Sequence, residues 1–260
     1  MAPTSHNKTA FVAELVPNNR RFLEFSIQLV NSPGAVAEVA SILSKHKVNI
    51  LTGFHDPTQW SFFADVTEIE SSTDDIVKEI SSLVSVSQVS LSKEVSEGIV
   101  VDTLHQQLAW GPFRTIIVRA EVMRSILNRV KGVFGGDAGK TIVFGMGEAA
   151  GRNFFNGLIS QINADVLKSH IDDIMGLYLA DGWGNFRLIT VDFSKTTACV
   201  RAQDSFECAP FLGSGSSPQG DFVAGHLTGV FSEIFGKRVQ VTETSCIAHG
   251  GSYCQFDVKG

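Results

Sequence analysis

The sequence contains no apolar run of about 18 residues, so it predicts no helix that crosses a membrane. Positive charge is also scarce, because 21 Lys and Arg stand against 27 Asp and Glu and give a formal net charge of -6. A nucleic-acid surface needs clustered basic residues, so we expect no direct contact with nucleic acid. The first eight residues lack the apolar core of a signal peptide, which favours a cytoplasmic protein.

Cysteine is missing from the first three quarters of the chain and then occurs at positions 199, 208, 246 and 254. In the reducing cytoplasm such thiols stay free. Cys246 and Cys254 flank a glycine-rich turn between two short alternating runs, at 239–243 and 256–258. Alternation with period two predicts two strands and therefore a hairpin, with Glu243 near its opening. Thiolate and carboxylate are both zinc ligands, whereas buried free cysteines often serve only in packing, and spacing alone favours packing.

Glu243, Cys246, Gly250 and Cys254 nevertheless follow a more specific pattern, Glu-x-x-Cys-x-x-Gly-x-x-x-x-Cys with the glycine shifted by one. This pattern resembles the C-terminal signature of the 4-vinyl-reductase domain family. The resemblance covers roughly residues 112–260 and implies the fold of the sensory domain of bacterial phenol-responsive activators, which trafficking-complex subunits share.

In the phenol sensors of that family, the glutamate and cysteines of the motif bind a structural zinc ion. The resemblance therefore implies a zinc site at Glu243, Cys246 and Cys254. Zinc-binding members carry a further cysteine before the helix that begins here near Gly225, and this chain has none at that place. Cys208 is the predicted fourth ligand, and His226 and His249 are the alternatives.

The first part of the chain alternates between strand and helix periodicity over residues 21–95. The predicted elements are strands at 22–30, 48–51, 60–66 and 84–89 and helices at 36–45 and 72–83. This βαββαβ order predicts a ferredoxin-like domain.

Residues 30–34, with sequence Val-Asn-Ser-Pro-Gly, and the later Val48-Asn49-Ile50 resemble the signature of the ACT domain, with Asn31 in place of the usual Asp. ACT domains pair side by side and often bind an amino acid near the start of the first helix, where free backbone N–H groups can hold a carboxylate. The resemblance implies a ligand site at Asn31, Pro33 and Gly34, and a homodimer. The open alternative is that Asn31 only caps the helix.

Two glycine-rich stretches imitate nucleotide-binding motifs. Residues 135–141 lack the required spacing and follow a helix instead of a strand. Residues 145–150 read Gly-x-Gly-x-x-Ala, but the helical pattern at 156–173 leaves no second strand that ends in an acid. We therefore interpret the second stretch as a helix whose small residues allow close packing.

The second part of the chain predicts helices that pack on a small antiparallel sheet. Helical spacing occurs at 119–133, through 158 and at 222–235, and alternation predicts strands at 177–179, 186–192 and 197–201. The whole chain is thus predicted as α+β: a flexible N-terminus at 1–20, the ferredoxin-like domain at 21–95, a linker at 96–111 and the 4-vinyl-reductase-like domain at 112–260.

No catalytic constellation is present in the sequence, so we expect a small-molecule sensor and not an enzyme. The first domain is expected to bind an amino acid or to pair subunits, and the second to bind a small hydrophobic or aromatic compound, with a regulatory protein as a further partner. Coupling would follow if ligand binding at one site biased the other. The alternatives are a tetrapyrrole-related reductase or assembly factor, and a dimeric scaffold without ligand.

Overall fold

The structure is a computed structural model that describes residues 13–105, 108–110, 112–213, 215 and 217–260. The chain divides into two compact units, Met1–Ile116 and Ile117–Gly260. The described part of the chain is mixed α+β with antiparallel sheets. Within those described ranges, no helix combines the length and the apolar character that crossing a bilayer requires.

The first unit has a four-stranded antiparallel sheet in the order β3-β4-β2-β5 with two helices. Its elements are β1 (Ala13–Val16), β2 (Phe22–Leu29), α1 (Ala35–Lys45), β3 (Asn49–Asp56), β4 (Gln59–Asp65), α2 (Thr73–Ser81), β5 (Val86–Leu91), β6 (Gly98–Val101), β7 (Leu108–Trp110) and β8 (Phe113–Thr115). On the central strand β2, Leu23, Phe25 and Ile27 belong to the apolar core that also contains residues of α1 and α2. Glu24 and Ser26 alternate with them and therefore face the opposite side of the sheet.

The ends of the first unit differ from the sequence prediction. β1 lies within the predicted flexible N-terminus, and β6 lies within the predicted linker 96–111, yet the two strands pair with each other over four residues. Val16 and Val100 are buried there with Phe22 and Phe63 in a small apolar cluster. Because each strand is too short to show clear alternation, their pairing was not visible in the sequence.

The second unit places its helices against a four-stranded antiparallel sheet in the order β11-β12-β10-β9. Its elements are α3 (Ala120–Phe134), α4 (Gly136–Ile159), α5 (Ala164–Ser169), α6 (Ile171–Ala180), β9 (Asn185–Asp192), β10 (Thr197–Gln203), α7 (Asp221–Phe235), β11 (Gln240–Ser245) and β12 (Cys254–Lys259). The predicted strand at 177–179 was wrong, because these residues form the last turns of α6. Ile174, Met175 and Tyr178 are buried, as the inner face of a helix requires.

Helix α7 is the centre of the second unit, with 12 of its 15 residues buried. It binds the sheet through two side chains, since Thr228 Oγ1 accepts from the N–H of Val241 at 3.1 Å and Ser232 Oγ from the N–H of Val239 at 3.2 Å. These bonds satisfy donors of the β11 region within the core.

Helices α4 and α7 approach each other so closely that only glycine fits at the contact. A Cβ atom on Gly147 would lie 2.1 Å from the carbonyl oxygen of Phe222, and one on Gly151 would lie 2.0 Å from that of His226. Gly225 and Gly229 of α7 face α4 in the same way, with 2.0 Å and 2.3 Å to the nearest carbonyl oxygens. The stretch that imitates a dinucleotide motif therefore belongs to a helix contact.

The contact makes a direct prediction for two glycines of α4. Gly151→Ala should destabilise the protein by about 3 kcal/mol or more, because the added methyl group must force the helices apart. Gly145→Ala, on the same helix with nothing within 4 Å of the added atom, should be neutral or stabilise by about 0.5–1 kcal/mol. Urea unfolding of both variants measures the difference, and equal stabilities would contradict the assignment of the contact.

Candidate functional site

The second unit brings together the four residues predicted as zinc ligands. Glu243 lies on β11, Cys246 follows that strand, Cys254 begins β12, and Cys208 precedes a 3-10 turn at Ala209–Phe211. One ligand atom from each residue lies within 4.8 Å of the others. The hairpin therefore supplies three of the atoms, and the loop after β10 supplies the fourth.

The spacing of these atoms fits a tetrahedral metal ion. The Sγ atoms of Cys246 and Cys254 are 3.9 Å apart, and Sγ of Cys208 is 3.6 Å from Oε1 of Glu243. Zinc bonds of about 2.3 Å to sulfur and about 2.0 Å to oxygen place tetrahedral ligands about 3.8 Å and about 3.5 Å apart. The chemistry of the donors fits as well, since three thiols and one carboxylate together are typical of a closed structural site.

The segment before α7 orients two of these ligands through its backbone. The N–H of Gly220 donates to Oε2 of Glu243 at 2.8 Å, which leaves Oε1 directed towards the thiols. The N–H of Gln219 donates to the thiol of Cys246. Outer hydrogen bonds of this kind fix the direction of metal ligands. In zinc-binding relatives a cysteine is expected before this helix, whereas here the region contributes N–H groups and Cys208 supplies the thiol.

The thiols are crowded without a compensating positive charge. The hydrogen bond to Cys254, burial and the nearby Glu243 raise the pKa of Cys208 well above its usual range. Burial, together with Glu243, raises the pKa of Cys246 to about 11. A divalent cation would remove this cost by neutralising the ligands, with release of their protons.

The two histidines considered as fourth ligands lie elsewhere. His249 is exposed, and its Nδ1–H donates to the carbonyl oxygen of Gly215 at 3.1 Å. His226 is buried on α7, with Nδ1 2.9 Å from the hydroxyl of Tyr178. Neither is among the described residues that form the cluster.

His226 and Tyr178 form a second group of interest, a polar pair inside a shell of aromatic rings. We call it the aromatic cage, and its rings belong to Phe154, Tyr178, Trp183, Phe186, Phe206, Phe222 and His226. Burial lowers the pKa of His226 to about 4 and raises the pKa of Tyr178 above its usual range. Both side chains are therefore neutral at pH 7, and the second nitrogen of His226 has no hydrogen-bond partner among the described residues.

Sequence reasoning missed this cage. Tyr178 lies in the segment that was predicted as a strand, and Trp183 was interpreted only as part of a turn. The seven rings come from α4, α6, α7, β9 and two loops, so no local spacing connects them. The separate glycine signals of α4 and α7 pointed only to close packing.

Three consecutive residues connect the cage, α7 and the thiol cluster. The ring of Phe206 packs at 5.3 Å on Trp183, and its N–H donates to the carbonyl oxygen of Trp183. Glu207 is buried and accepts hydrogen bonds from the N–H groups of Phe222 and Val223 at the start of α7. Cys208 then belongs to the cluster.

Glu207 acts as the N-terminal cap of α7 from outside the helix. Gly220 at the cap position has no side chain to supply an acceptor, so the carboxylate fills that role. Burial raises the pKa of Glu207 to about 7, although Lys131 at 3.3 Å and the two N–H groups favour its charged form. Lys131 also lies 2.7 Å from Asp221, which ties α3 to the same helix end.

The residues predicted for amino-acid binding lie together at the start of α1. Asn31, Pro33 and Gly34 are all exposed. Gly34, with φ 94°, is the cap residue of the helix, and no side chain caps it. The alternative in which Asn31 caps the helix is therefore wrong, because two residues separate it from the cap. Amino-acid binding there stays a prediction.

Comparison with known proteins supports a domain assignment for the end of the chain. Residues 199–260 match the family model of the vinyl-4-reductase domain. Two proteins of Methanocaldococcus jannaschii match parts of the chain: MJ1460 is 44% identical over 46 residues and MJ1642 is 32% identical over 66 residues. These segments make up 18% and 25% of this chain, and the chain covers only 28% and 40% of those relatives.

The fold was also compared with solved structures. The phenol-responsive sensory domain of the transcription activator PoxR, solved with phenol, is 17% identical with a TM-score of 0.48. The match covers 56% of this chain and 77% of that chain. A vinyl-4-reductase family protein from Methanocaldococcus jannaschii is 20% identical with a TM-score of 0.37, and the match covers 56% and 83% of the two chains.

Replacement of one thiol tests the cluster as a zinc site. Cys208→Ala should lower the zinc content by about one equivalent per chain and should destabilise the second unit, because structural zinc contributes strongly to folding. Cys199→Ala is the matched control, since Cys199 lies on β10 outside the cluster. Elemental analysis of protein purified without chelator measures both. Equal zinc in the two variants would refute the assignment.

The buried His226 predicts a pH dependence of stability. Its pKa is lowered from 6.5 to about 4 by burial, so the unfolded chain takes up a proton first as the pH falls. The contribution of the neutral ring is therefore full above about pH 6.5 and is lost between about pH 6.5 and 4, by about 3 kcal/mol. Urea unfolding of the unchanged chain and His226→Gln isolates this term, because other groups titrate in both. Identical pH profiles would contradict it.

Proposed function

We propose that the protein is a small-molecule sensor whose second unit binds a compact aromatic compound with one polar group, beside His226. The observation that carries the proposal is the neutral Tyr178–His226 pair at the centre of the aromatic cage. Ligand sites are mostly apolar and contain a few polar groups that fix the orientation of the ligand. The free nitrogen of His226 would hydrogen-bond the polar group, while the rings would contact the aromatic body.

Trp183 is the side chain best placed to admit the ligand. It is half-buried, lies 4.8 Å from the ring of His226, and stands between Gly182 and Gly184. Both glycines have positive φ angles, 77° and 136°, which L side chains rarely adopt. We propose that the indole moves aside on this turn and closes over the bound compound.

In this proposal zinc serves structure and not catalysis. A zinc ion held by Cys208, Glu243, Cys246 and Cys254 would fix the loop that contains Phe206, and Phe206 supports Trp183. A ligand that shifts Trp183 would then act on Glu207 and on the start of α7. Such a link gives ligand binding a mechanical output, because α7 is packed on every side.

The first unit has its own part in the proposal. We propose that it is ACT-like and that it binds an amino acid near Asn31, Pro33 and Gly34 or pairs two chains. Its strand order β3-β4-β2-β5 supports this assignment, since it is the order of a ferredoxin-like sheet. The protein would act as a cytoplasmic, non-enzymatic regulator that passes the signal to a protein partner.

Phenol is the simplest probe of the cage, because it has one ring and one hydroxyl group. Phenol should quench or shift the fluorescence of Trp183 and raise the melting temperature of the full chain. His226→Phe should weaken phenol binding about 5- to 100-fold, since a buried hydrogen bond contributes about 1–3 kcal/mol. Benzene should bind His226→Phe at least as well as it binds the unchanged chain.

Tyr253→Phe is the matched control for Tyr178→Phe, because these are the two tyrosines of the sequence and Tyr253 lies by Arg201. Tyr178→Phe should alter phenol affinity, and Tyr253→Phe should not. Absence of any binding by phenol and related monocyclic phenols would refute the sensor proposal for the second unit. It would favour a scaffold with a sealed core.

A further inference from the structure

The first unit contains a buried polar patch that its proposed role does not use. Glu24, Ser26 and Ser61 lie on the face of the sheet opposite the apolar core, and all three are buried. The segment after β6 covers them with Asp102 and His105. The five side chains thus form a polar group between a sheet and the segment that lies on it.

Three of these side chains point their ligand atoms at a common place. Nδ1 of His105 lies 2.9 Å from Oδ1 of Asp102 and 3.3 Å from Oε1 of Glu24. One atom from each residue lies within 4.8 Å of the other two. Metal bonds of about 2.1 Å to oxygen or nitrogen place adjacent ligands about 3.0–3.4 Å apart, and the observed distances lie close to that interval.

One oxygen of the group has no partner. Glu24 is fully buried, and its Oε1 receives no hydrogen bond from the described residues, although its other oxygen accepts from the N–H of Thr103 at 3.2 Å. His105 approaches Oε1, but its Nδ1 is shared with both oxygens of Asp102. A buried carboxylate oxygen without a partner is costly and indicates that a group is missing there.

The other side of the imidazole is held in place. Nε2 of His105 lies 3.0 Å from the hydroxyl of Ser61 and also contacts Gln59 and Ser26. When Nε2–H donates to the Ser61 hydroxyl, the lone pair of Nδ1 faces the two carboxylates. Metal-binding histidines are oriented in this way by a hydrogen bond at the second nitrogen.

We propose that Glu24, Asp102 and His105 bind a divalent first-row transition metal ion, separate from the thiol cluster of the second unit. Two carboxylates and one imidazole suit Mn²⁺ or Zn²⁺. Three protein ligands leave coordination positions for water or for a small ligand. The side chains of Asp102 and His105 are 13% and 26% exposed, so these positions face the side from which solvent reaches the site.

Metal stoichiometry of the full chain tests this site. The unchanged protein, loaded with Zn²⁺ and dialysed, should retain about two equivalents. His105→Gln and Asp102→Asn should each retain about one, and so should Cys246→Ala. In protein whose thiol cluster already holds Zn²⁺, added Mn²⁺ should bind at about one equivalent, seen as loss of the free Mn²⁺ signal in electron paramagnetic resonance.

His46→Gln is the matched control. His46 is also a histidine of the first unit that contacts a carboxylate, with Nε2 2.7 Å from Glu79, but it is outside the three-residue group. Its replacement should leave both equivalents in place. Circular dichroism and gel filtration show whether each variant is folded, and Asp102→Asn preserves shape if His105→Gln does not fold.

The outcomes separate this site from the thiol cluster. Two equivalents that fall to one in Asp102→Asn and remain at two in His46→Gln support the proposal. A single equivalent that disappears in Cys246→Ala and is unaffected by Asp102→Asn, with no Mn²⁺ bound, overturns it. In that case His105 serves only to hold its segment on the sheet, and the zinc assignment of the second unit is unaffected.

Discussion

The close contact of α4 with α7 is the constraint on which the second unit depends. Four glycines allow two helix backbones to approach within a distance that no other residue tolerates. This contact sets the position of α7, and α7 places His226 within the aromatic cage and its first turn beside Glu207. The preceding residue Gly220 reaches Glu243 as a consequence. Both candidate sites of the unit thus depend on a contact that contains no chemistry of its own.

The segment Phe206-Glu207-Cys208 shows how the two sites come to share a structural support. Each residue serves a different neighbour: an aromatic ring, a helix end and a group of thiols. Since adjacent residues cannot move independently, a displacement at Trp183 must be absorbed by the helix cap or by the thiols. A metal ion would stiffen one end of this segment, and the displacement would then go to α7. Zinc can therefore serve signalling without contact with a ligand.

Sequence reasoning found the thiol cluster because its ligands lie on a hairpin, where alternation and turn residues are readable over a few positions. Cys208 was one of three alternatives for the fourth ligand, and only the three-dimensional path of the loop distinguishes it from His226 and His249. The cage and the group of Glu24, Asp102 and His105 were not predicted. Glu24 is far from Asp102 along the chain, so the pairing is visible only when strand and covering segment are in place.

The same pairing explains why the first unit extends beyond residue 95. A sheet with two helices on one face needs its other face either solvated or covered, and here that face carries the buried Glu24 and Ser61. Burial of such groups is costly unless they find partners, and the partners come from residues 102–105. A chain cut at 95 would also lose β6 from its pairing with β1. The segment that composition suggests is a linker is therefore part of the fold of the first unit.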